Sequence, residues 1–348
     1  MSSANAKAGI SVGAVGGGKE VKTEVDGYEK YHSSFGGDVS ARKADYADMV
    51  NKYYDLATEF YEYGWGESFH FAHQWKDETL REAIKRHEHY LALKLKMGEG
   101  HKVLDVGCGI GGPLREIASF TGAHITGLNN NEYQLKRADA ITKKMGRGLP
   151  EICDWMKADF MNIPQKDASY DLVYEIEATC HAPDPVACYS EVLRVLKPGG
   201  YFAGYEWCTT DNFDPNDPEH IKAKQEIELG NGLPTTRSTH EVIQALKDAG
   251  FEVIEFEDLV ESSEVTWFDP IDPDKVTIKN FKTSWVGRWA TTYLCWWLET
   301  LRIAPAGTCR VQKFLEKGAD GLVAGGKLGI YTPMFFFLAR RPEGGKRR

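Results

Sequence analysis

Positive charge is in deficit: 42 Lys and Arg stand against 51 Asp and Glu, a formal net charge of −9. That balance excludes a protein built to grip nucleic acid, because displacing the counterions of a phosphate backbone takes a basic face. Patterned cysteine is missing too. The 7 cysteines are odd in number and include no CxxC pair and no Cys/His spacing of a zinc site, so they read as free thiols of a reducing compartment. His70 and His73 have a ligand-like spacing but no third ligand motif, and no metal is expected. Long apolar runs are absent as well. None approaches the roughly 18 residues that span a bilayer, and the densest, Met334–Ala339, has the length of a strand. The N-terminus, MSSANAKAGISVGAVGGGKE, has no apolar core with a basic region before it, so a secretory signal is not expected. Any membrane this chain meets, it meets from outside.

What is present is a chain of 348 residues, 42% of them apolar, enough for one large domain or for a core with a smaller cap. Residues 1–45 read as a disordered or loosely ordered tail, 46–98 as a helical cap, 99–260 as the core and 261–348 as a C-terminal region. In the cap, helical spacing runs over Ala44–Tyr54, and Asp77–Lys96 reads as a long amphipathic helix with Asp77 as N-cap and Gly98 as its stop. The core then alternates. Strands at Lys102–Val106, Ala123–Leu128, Ile152–Lys157, Tyr170–Glu175 and Tyr201–Glu206 are interleaved with helices at Pro113–Phe120, Glu132–Lys144 and Pro185–Leu196. A helix at His240–Ala249 and strands at Phe251–Asp258 and Met334–Ala339 follow. The fold class is therefore α/β, a doubly wound, mostly parallel, seven-stranded Rossmann-like sheet with helices on both faces.

The strongest signal is VLDVGCGIGGPLREIA, Val103–Ala118: an apolar strand, a carboxylate, a glycine turn and a helix with Pro113 in its first turn. Glycines there permit positive φ and let a ligand lie against the backbone. Gly107, Gly109 and Gly112 also spell the dinucleotide GxGxxG, so the loop by itself does not separate a nicotinamide cofactor from S-adenosylmethionine. Its surroundings do. A dinucleotide places a pyrophosphate at the helix N-terminus, and Asp105 at the strand end would repel that anion; it suits the ammonium and sulfonium of S-adenosylmethionine.

DVGCGIGG, GLNNNEYQLKRA, KADFMNIP, EIEATCHAPD and EVLRVLKPGGYFAGYEW occur in the order and spacing of class I methyltransferases, and their wording resembles the sterol 24-C-methyltransferases. The resemblance covers roughly Tyr46–Pro342. It implies that Gly107 and Gly109 lie under the methionine part of S-adenosylmethionine, that Asp105 orients its amino end, and that Asp159 with Phe160 holds and flanks adenine. Asn129 stands where most of the class has an acid for the ribose hydroxyls, and the form GLNNN is the one this family shows. Asn130, Gln134 and Glu175 complete the implied cofactor shell. The activity implied is methyl transfer to the side-chain Δ24 double bond of a sterol, by an enzyme peripheral to the cytoplasmic side of the endoplasmic reticulum or a lipid droplet.

The segment YEYGWGESFHFA, Tyr61–Ala72, crowds Tyr61, Tyr63, Trp65, Phe69, His70 and Phe71 together with Glu62 and Glu67. In the family it resembles, this block lines the sterol pocket, and chemistry supplies a reason. Methylating a neutral alkene creates a carbocation, which aromatic faces stabilise without offering a nucleophile. The cation must then lose a proton, so a base is required. Glu177, at the carboxyl end of a strand where ligands of open α/β sheets sit, is the first candidate; Glu62, His70, His181 and Glu206 follow. Farther on, Trp285, Trp289, Tyr293 and Trp297 form one helical stripe with Trp296 and Leu301 beside it. Core packing, the far wall of a substrate tunnel and a membrane face all remain open for it, and the basic C-terminus ARRPEGGKRR could either favour an anionic surface or solubilise the end. Homo-oligomerisation also stays open.

Overall fold

The computed structural model describes residues 26, 39–276 and 280–344. Of the stretch read as a tail, residues 1–25 and 27–38 lie outside the described residues, as does the end of the basic C-terminus, 345–348; Val39–Ala44 forms a helix, α1. Helix α2, Tyr46–Trp65, follows. It runs farther than the spacing of its apolar residues suggested, so the first part of the aromatic block is helical. Helix α3, Leu80–Lys94, starts after Thr79, not Asp77. Glu82 decides this: the Thr79 hydroxyl accepts from Glu82 N at 3.3 Å while the Glu82 carboxylate accepts from Thr79 N at 2.9 Å, a reciprocal cap that Asp77 cannot form.

The core is a single sheet. Strands β1 (Lys102–Val106), β2 (His124–Asn129), β3 (Cys153–Lys157), β4 (Tyr170–Ile176), β5 (Leu196–Thr209), β7 (Glu252–Asp258) and β8 (Tyr331–Arg340) lie in the order β3-β2-β1-β4-β5-β8-β7. A two-residue strand, β6 (Arg237–Ser238), adds a short parallel pairing to β5. All the pairings are parallel except those of β8, which is antiparallel to both neighbours. The last strand starts earlier than expected and contains Pro333. That is tolerated because the β5–β8 register shifts between Glu206 and Cys208, leaving Pro333 at a bulge where no ladder donor is needed.

Helices α4 (Gly112–Thr121), α5 (Glu132–Met145), α6 (Pro185–Val195) and α8 (Thr239–Ala249) are the expected crossovers. Three more follow from β5 onward: α7 (Pro218–Gly230), α9 (Trp285–Thr300) and α10 (Thr308–Lys327). The sheet's two faces carry separate cores. Tyr174, Tyr205 and Phe336 pack with α3, α4, α7 and α10, whereas Val173, Phe202 and Phe337 pack with α6 and α8. The chain leaves β1 toward β3 on one side and returns to β4 on the other. The carboxyl ends of β1 and β4 thus diverge at a switch point, where open α/β sheets bind ligands.

Candidate active site

At the switch point β1 ends in the glycine turn. Gly107 has φ 81° and lies so close to the turn after β4 that an added Cβ would stand 2.3 Å from the Ala178 Cβ. Gly109 has φ 54°, and a Cβ built there would meet nothing within 4 Å, so backbone faces open space. Beside it, Asp105 is buried with the Tyr174 hydroxyl donating to it at 3.0 Å. Burial pushes its carboxyl up to about 7, against the pull of that hydrogen bond. A buried acid at the rim of a bare glycine turn fits a cationic ligand and does not fit a pyrophosphate.

Of the expected cofactor shell, Asp105, Gly107 and Gly109 line this cleft; the other members have partners of their own. Asp159 accepts from Met161 N at 2.8 Å and from the Tyr46 hydroxyl, whose ring stacks on Phe160 with centroids 6.3 Å apart. Asn129 donates to Gly109 O at 3.3 Å and to Gln134 Oε1 at 2.7 Å; Gln134 donates in turn to Thr58 Oγ1 at 3.0 Å. Gln134 therefore braces Asn129 from behind. Asn130 is half-buried at the bend before α5, and its neighbour Asn131 caps that helix, accepting from Gln134 N at 2.9 Å. Glu175 faces away from the cleft. Strand alternation turns it to the opposite side of the sheet from Tyr174, where it accepts from Ala178 N at 2.9 Å and burial holds its carboxyl well above the usual range.

The tail of the aromatic block joins this cleft to a second space. Gly112 packs against Glu67, whose carboxylate takes a 2.6 Å bond from buried Arg115. Phe69 and His70 line the cleft at Asp105, and they also line a cavity of about 220 Å³ walled by Tyr53, Tyr54, Tyr61 and Phe71. Glu177 and Trp207 close its floor, and Arg288, Thr291, Leu315 and Leu322 supply the far wall.

Glu177 is held from several sides. It has φ 54°, donates N–H to Tyr205 O at 2.8 Å, and its carboxylate accepts from Phe71 N at 2.7 Å and Trp207 Nε1 at 2.6 Å. Burial lifts its carboxyl to about 8, although neighbouring His70 pulls the other way. His70 donates from Nδ1 to Phe71 O at 2.7 Å and from Nε2 to Glu88 at 3.1 Å. Burial alone would lower its pKa, but Glu88 outweighs that and the net direction is up. His181 is the converse. Its Nδ1 donates to Gly232 O at 3.1 Å, its Nε2 accepts from the Tyr54 hydroxyl at 3.0 Å, and burial drops its pKa to about 4. Tyr61 shares a 2.5 Å hydroxyl bond with Tyr53, and burial lifts its phenol to about 12.

Two other base candidates lie elsewhere. Glu62 binds Arg137 at the surface, at 3.2 Å to Nε. Glu206 takes the face of β5 opposite Trp207, where it accepts from Thr179 and where burial lifts its carboxyl to about 7. The side chains of Tyr63 and Trp65 lie outside the described residues. Trp207, Tyr46 and Glu88 went unremarked in the sequence, yet YEWC offered the first: two-residue alternation that buries Tyr205 must send Trp207 to the same face. The Trp stripe of α9 forms neither core nor cavity wall. Its rings are exposed, and the cavity is met by Arg288 and Thr291 from another side of the helix.

The chain matches a methyltransferase-domain family over residues 104–204 and a sterol methyltransferase C-terminal family over 278–343. It is 60% identical over 323 residues to cycloartenol-C-24-methyltransferase 1 of Oryza sativa, covering 93% of each chain. It is 47% identical to the sterol 24-C-methyltransferase ERG6 of Saccharomyces cerevisiae, covering 87% of this chain and 80% of that one. In fold it is similar to the cyclopropane synthase MmaA2 from Mycobacterium tuberculosis (TM-score 0.66, 17% identity, 84% of this chain and 96% of that one). The same holds for the geranyl diphosphate C-methyltransferase from Streptomyces coelicolor in complex with S-adenosyl-L-homocysteine (TM-score 0.59, 13% identity, 85% and 98%). With an acid-edged glycine turn opening onto an aromatic cavity, and with identities this high over nearly its whole length, the chain belongs to the sterol 24-C-methyltransferases.

Proposed function

We propose that this enzyme transfers a methyl group from S-adenosylmethionine to the side-chain Δ24 double bond of a sterol of the cycloartenol, lanosterol or zymosterol type. The observation that carries the reading is the junction at Phe69 and His70, shared by the glycine-turn cleft and the aromatic cavity. A cationic donor on one side thereby meets an apolar acceptor on the other.

Asp105, Gly107 and Gly109 would hold the methionine end, Asn129 and Asn130 the ribose, and Asp159 with Phe160 the adenine, while Gln134 and Glu175 brace these from behind. When bound, S-adenosylmethionine supplies an electrophilic methyl group. The residues of this chain do the remainder. Tyr54, Tyr61, Phe69 and Phe71 present ring faces to positive charge on the sterol side chain, each contributing up to about 2 kcal/mol when desolvated. They also keep out water, which would quench that charge. After the hydride shift, a carboxylate oxygen of Glu177 takes the departing proton and the C–H electron pair becomes the new alkene. Proximity of a cation lowers the Glu177 pKa from about 8, so the residue is ionised when the proton must leave. His181, with its pKa near 4, is a poorer proton acceptor.

Sterols partition into membranes, so we place the enzyme peripherally, on the cytoplasmic side of the endoplasmic reticulum or on lipid droplets. No helix among the described residues is long and apolar enough to cross a membrane. Purified protein given methyl-labelled S-adenosylmethionine and a panel of Δ24 and 24-methylene sterols should yield labelled 24-methyl or 24-methylene products by mass spectrometry. Label in no sterol would overturn the proposal.

A further inference from the structure

Helix α9 exposes Trp285, Trp289, Tyr293, Trp296 and Trp297, each between 47 and 66% accessible, and Leu301 continues the face at 57%. Three of the contacts are among these rings themselves: Trp289–Tyr293 at 5.5 Å, Tyr293–Trp296 at 5.8 Å and Trp296–Trp297 at 5.5 Å. Leaving this much contiguous aromatic surface in water is costly, and a patch of this kind marks an interaction site. The helix's inner side explains why the face is outward. Gly287 and Cys295 are buried, Arg288 reaches in to Ile271 O and Asp320, and Thr292 accepts from Gln312.

We infer that this face of α9 docks the enzyme onto an anionic lipid surface beside the mouth of the sterol cavity. Three observations select lipid over another protein. The face is built chiefly of Trp and Tyr, whose amphipathic rings settle at the headgroup boundary. The charges in the chain next to the stripe are basic where exposed: Lys282 stands before the helix and Arg302 after it, whereas the Glu299 carboxylate is turned to Gly307 N and Cys309 N at the start of α10, and exposed Asp274 and Asp320 are paired with Lys327 and Arg288. On a chain of net charge −9, a basic-flanked aromatic face complements anionic headgroups. The third observation is continuity. Lys282, exposed and lining the cavity, stands three residues before Trp285, and Arg288 and Thr291 of the same helix form the cavity wall. A sterol leaving a lipid layer under α9 would enter the cavity without crossing bulk water. At 16 residues the helix lies on the surface, being shorter than the roughly 20 that would span it.

The inference rests on the proposed sterol activity for its purpose, but its test does not. The full chain and a Trp289→Ser, Trp297→Ser double variant are compared by cosedimentation with phosphatidylcholine vesicles, with and without phosphatidylserine, and by Trp emission. Both proteins are also assayed on sterol dispersed in detergent and sized by sedimentation velocity. The wild type should bind phosphatidylserine-containing vesicles more tightly and shift its emission to the blue. The double variant should lose about tenfold or more in vesicle affinity, two partly buried rings each being worth about 1 kcal/mol, while its detergent turnover and circular dichroism stay unchanged. Wild-type protein that ignores both vesicle types, or a variant that binds them as well, overturns the inference. So does a wild-type dimer that the double substitution dissociates with vesicle binding unaltered, since the face then belongs to a second copy. Absence of detergent turnover in both proteins would instead sink the activity, leaving the vesicle result to stand by itself.

Discussion

Glu177 occupies a left-handed backbone conformation, φ 54°, which costs a residue with a Cβ about 1–2 kcal/mol. Bonds from Phe71 N and Trp207 Nε1 hold it there, and both come from elements that line the cavity. Glu177→Gln keeps the shape but offers the departing proton a far weaker base. It also sets an amide N–H against a donor it once faced as an acceptor. Turnover should fall by about 10²–10⁴ with calorimetric affinity for S-adenosylmethionine unchanged; wild-type turnover in the variant would remove Glu177 from the mechanism. Because the acting form is the carboxylate, kcat/KM of the wild type should fall as pH drops through about 8, the free-enzyme value. The Gln variant should not show that limb. Glu177 was readable in the sequence as the residue after a sheet strand. Alternation in YEWC puts its partner Trp207 on the face of Tyr205, but the bond to Glu177 depends on which face of β5 turns to the cavity, and the same parity sends Glu206 to the opposite side.

Helices α7 and α10 show why some elements stayed hidden while others were plain. The crossovers of the sheet announce themselves by apolar periodicity, of which α7 has little; α10 has that periodicity, but its Gly318, Gly321, Gly325 and Gly326 are poor helix formers whose preference tertiary contact must override. The contact is visible in the structure. A Cβ on Gly318 would come within 2.8 Å of the Gly230 backbone, and one on Gly321 within 2.9 Å of Glu226 and Ile227. Gly318 and Gly321 are glycines where α7 presses against the helix, and Gly326 is one where Phe268 does. Its other side carries Leu315, Ala319 and Leu322 into the cavity wall. Gly318→Val should therefore push α10 away from α7 and cost about 1–3 kcal/mol of stability. The sterol KM should rise while cofactor affinity holds, because the glycine turn is on β1 and α4. Equal loss of both affinities in titrations would mean that the helix pair supports the whole fold and not the cavity alone. The α9 stripe teaches the complementary point. Periodicity tells which residues share a side, and it says nothing of whether that side meets protein, sterol or lipid.

Buried acids couple the whole molecule to pH. Burial lifts Asp105 to about 7, Glu177 to about 8 and Glu206 to about 7, above the ordinary carboxyl range of roughly 4. A carboxyl whose folded pKa is raised stabilises the fold fully below its unfolded pKa, and that contribution is lost as pH rises through the folded value. The cofactor-free protein should thus lose thermal stability from about pH 5 to about pH 8, the window set by those three groups. A cationic ligand at Asp105 acts in the opposite sense. It favours the carboxylate, so binding expels a proton below pH 7, and affinity should fall by about tenfold for each unit below that pH. The rise in Tm on adding S-adenosylmethionine should consequently be small at pH 5 and large at pH 8. Asp105→Asn should flatten the increment across that range and release no proton in calorimetry run in buffers of different ionisation enthalpy. An increment independent of pH in the wild type, or pH-dependent in the Asn variant, would show that some other acid receives the positive charge. The glycine turn would then hold its ligand by shape, through the bare backbone at Gly109, and not by the charge beneath it.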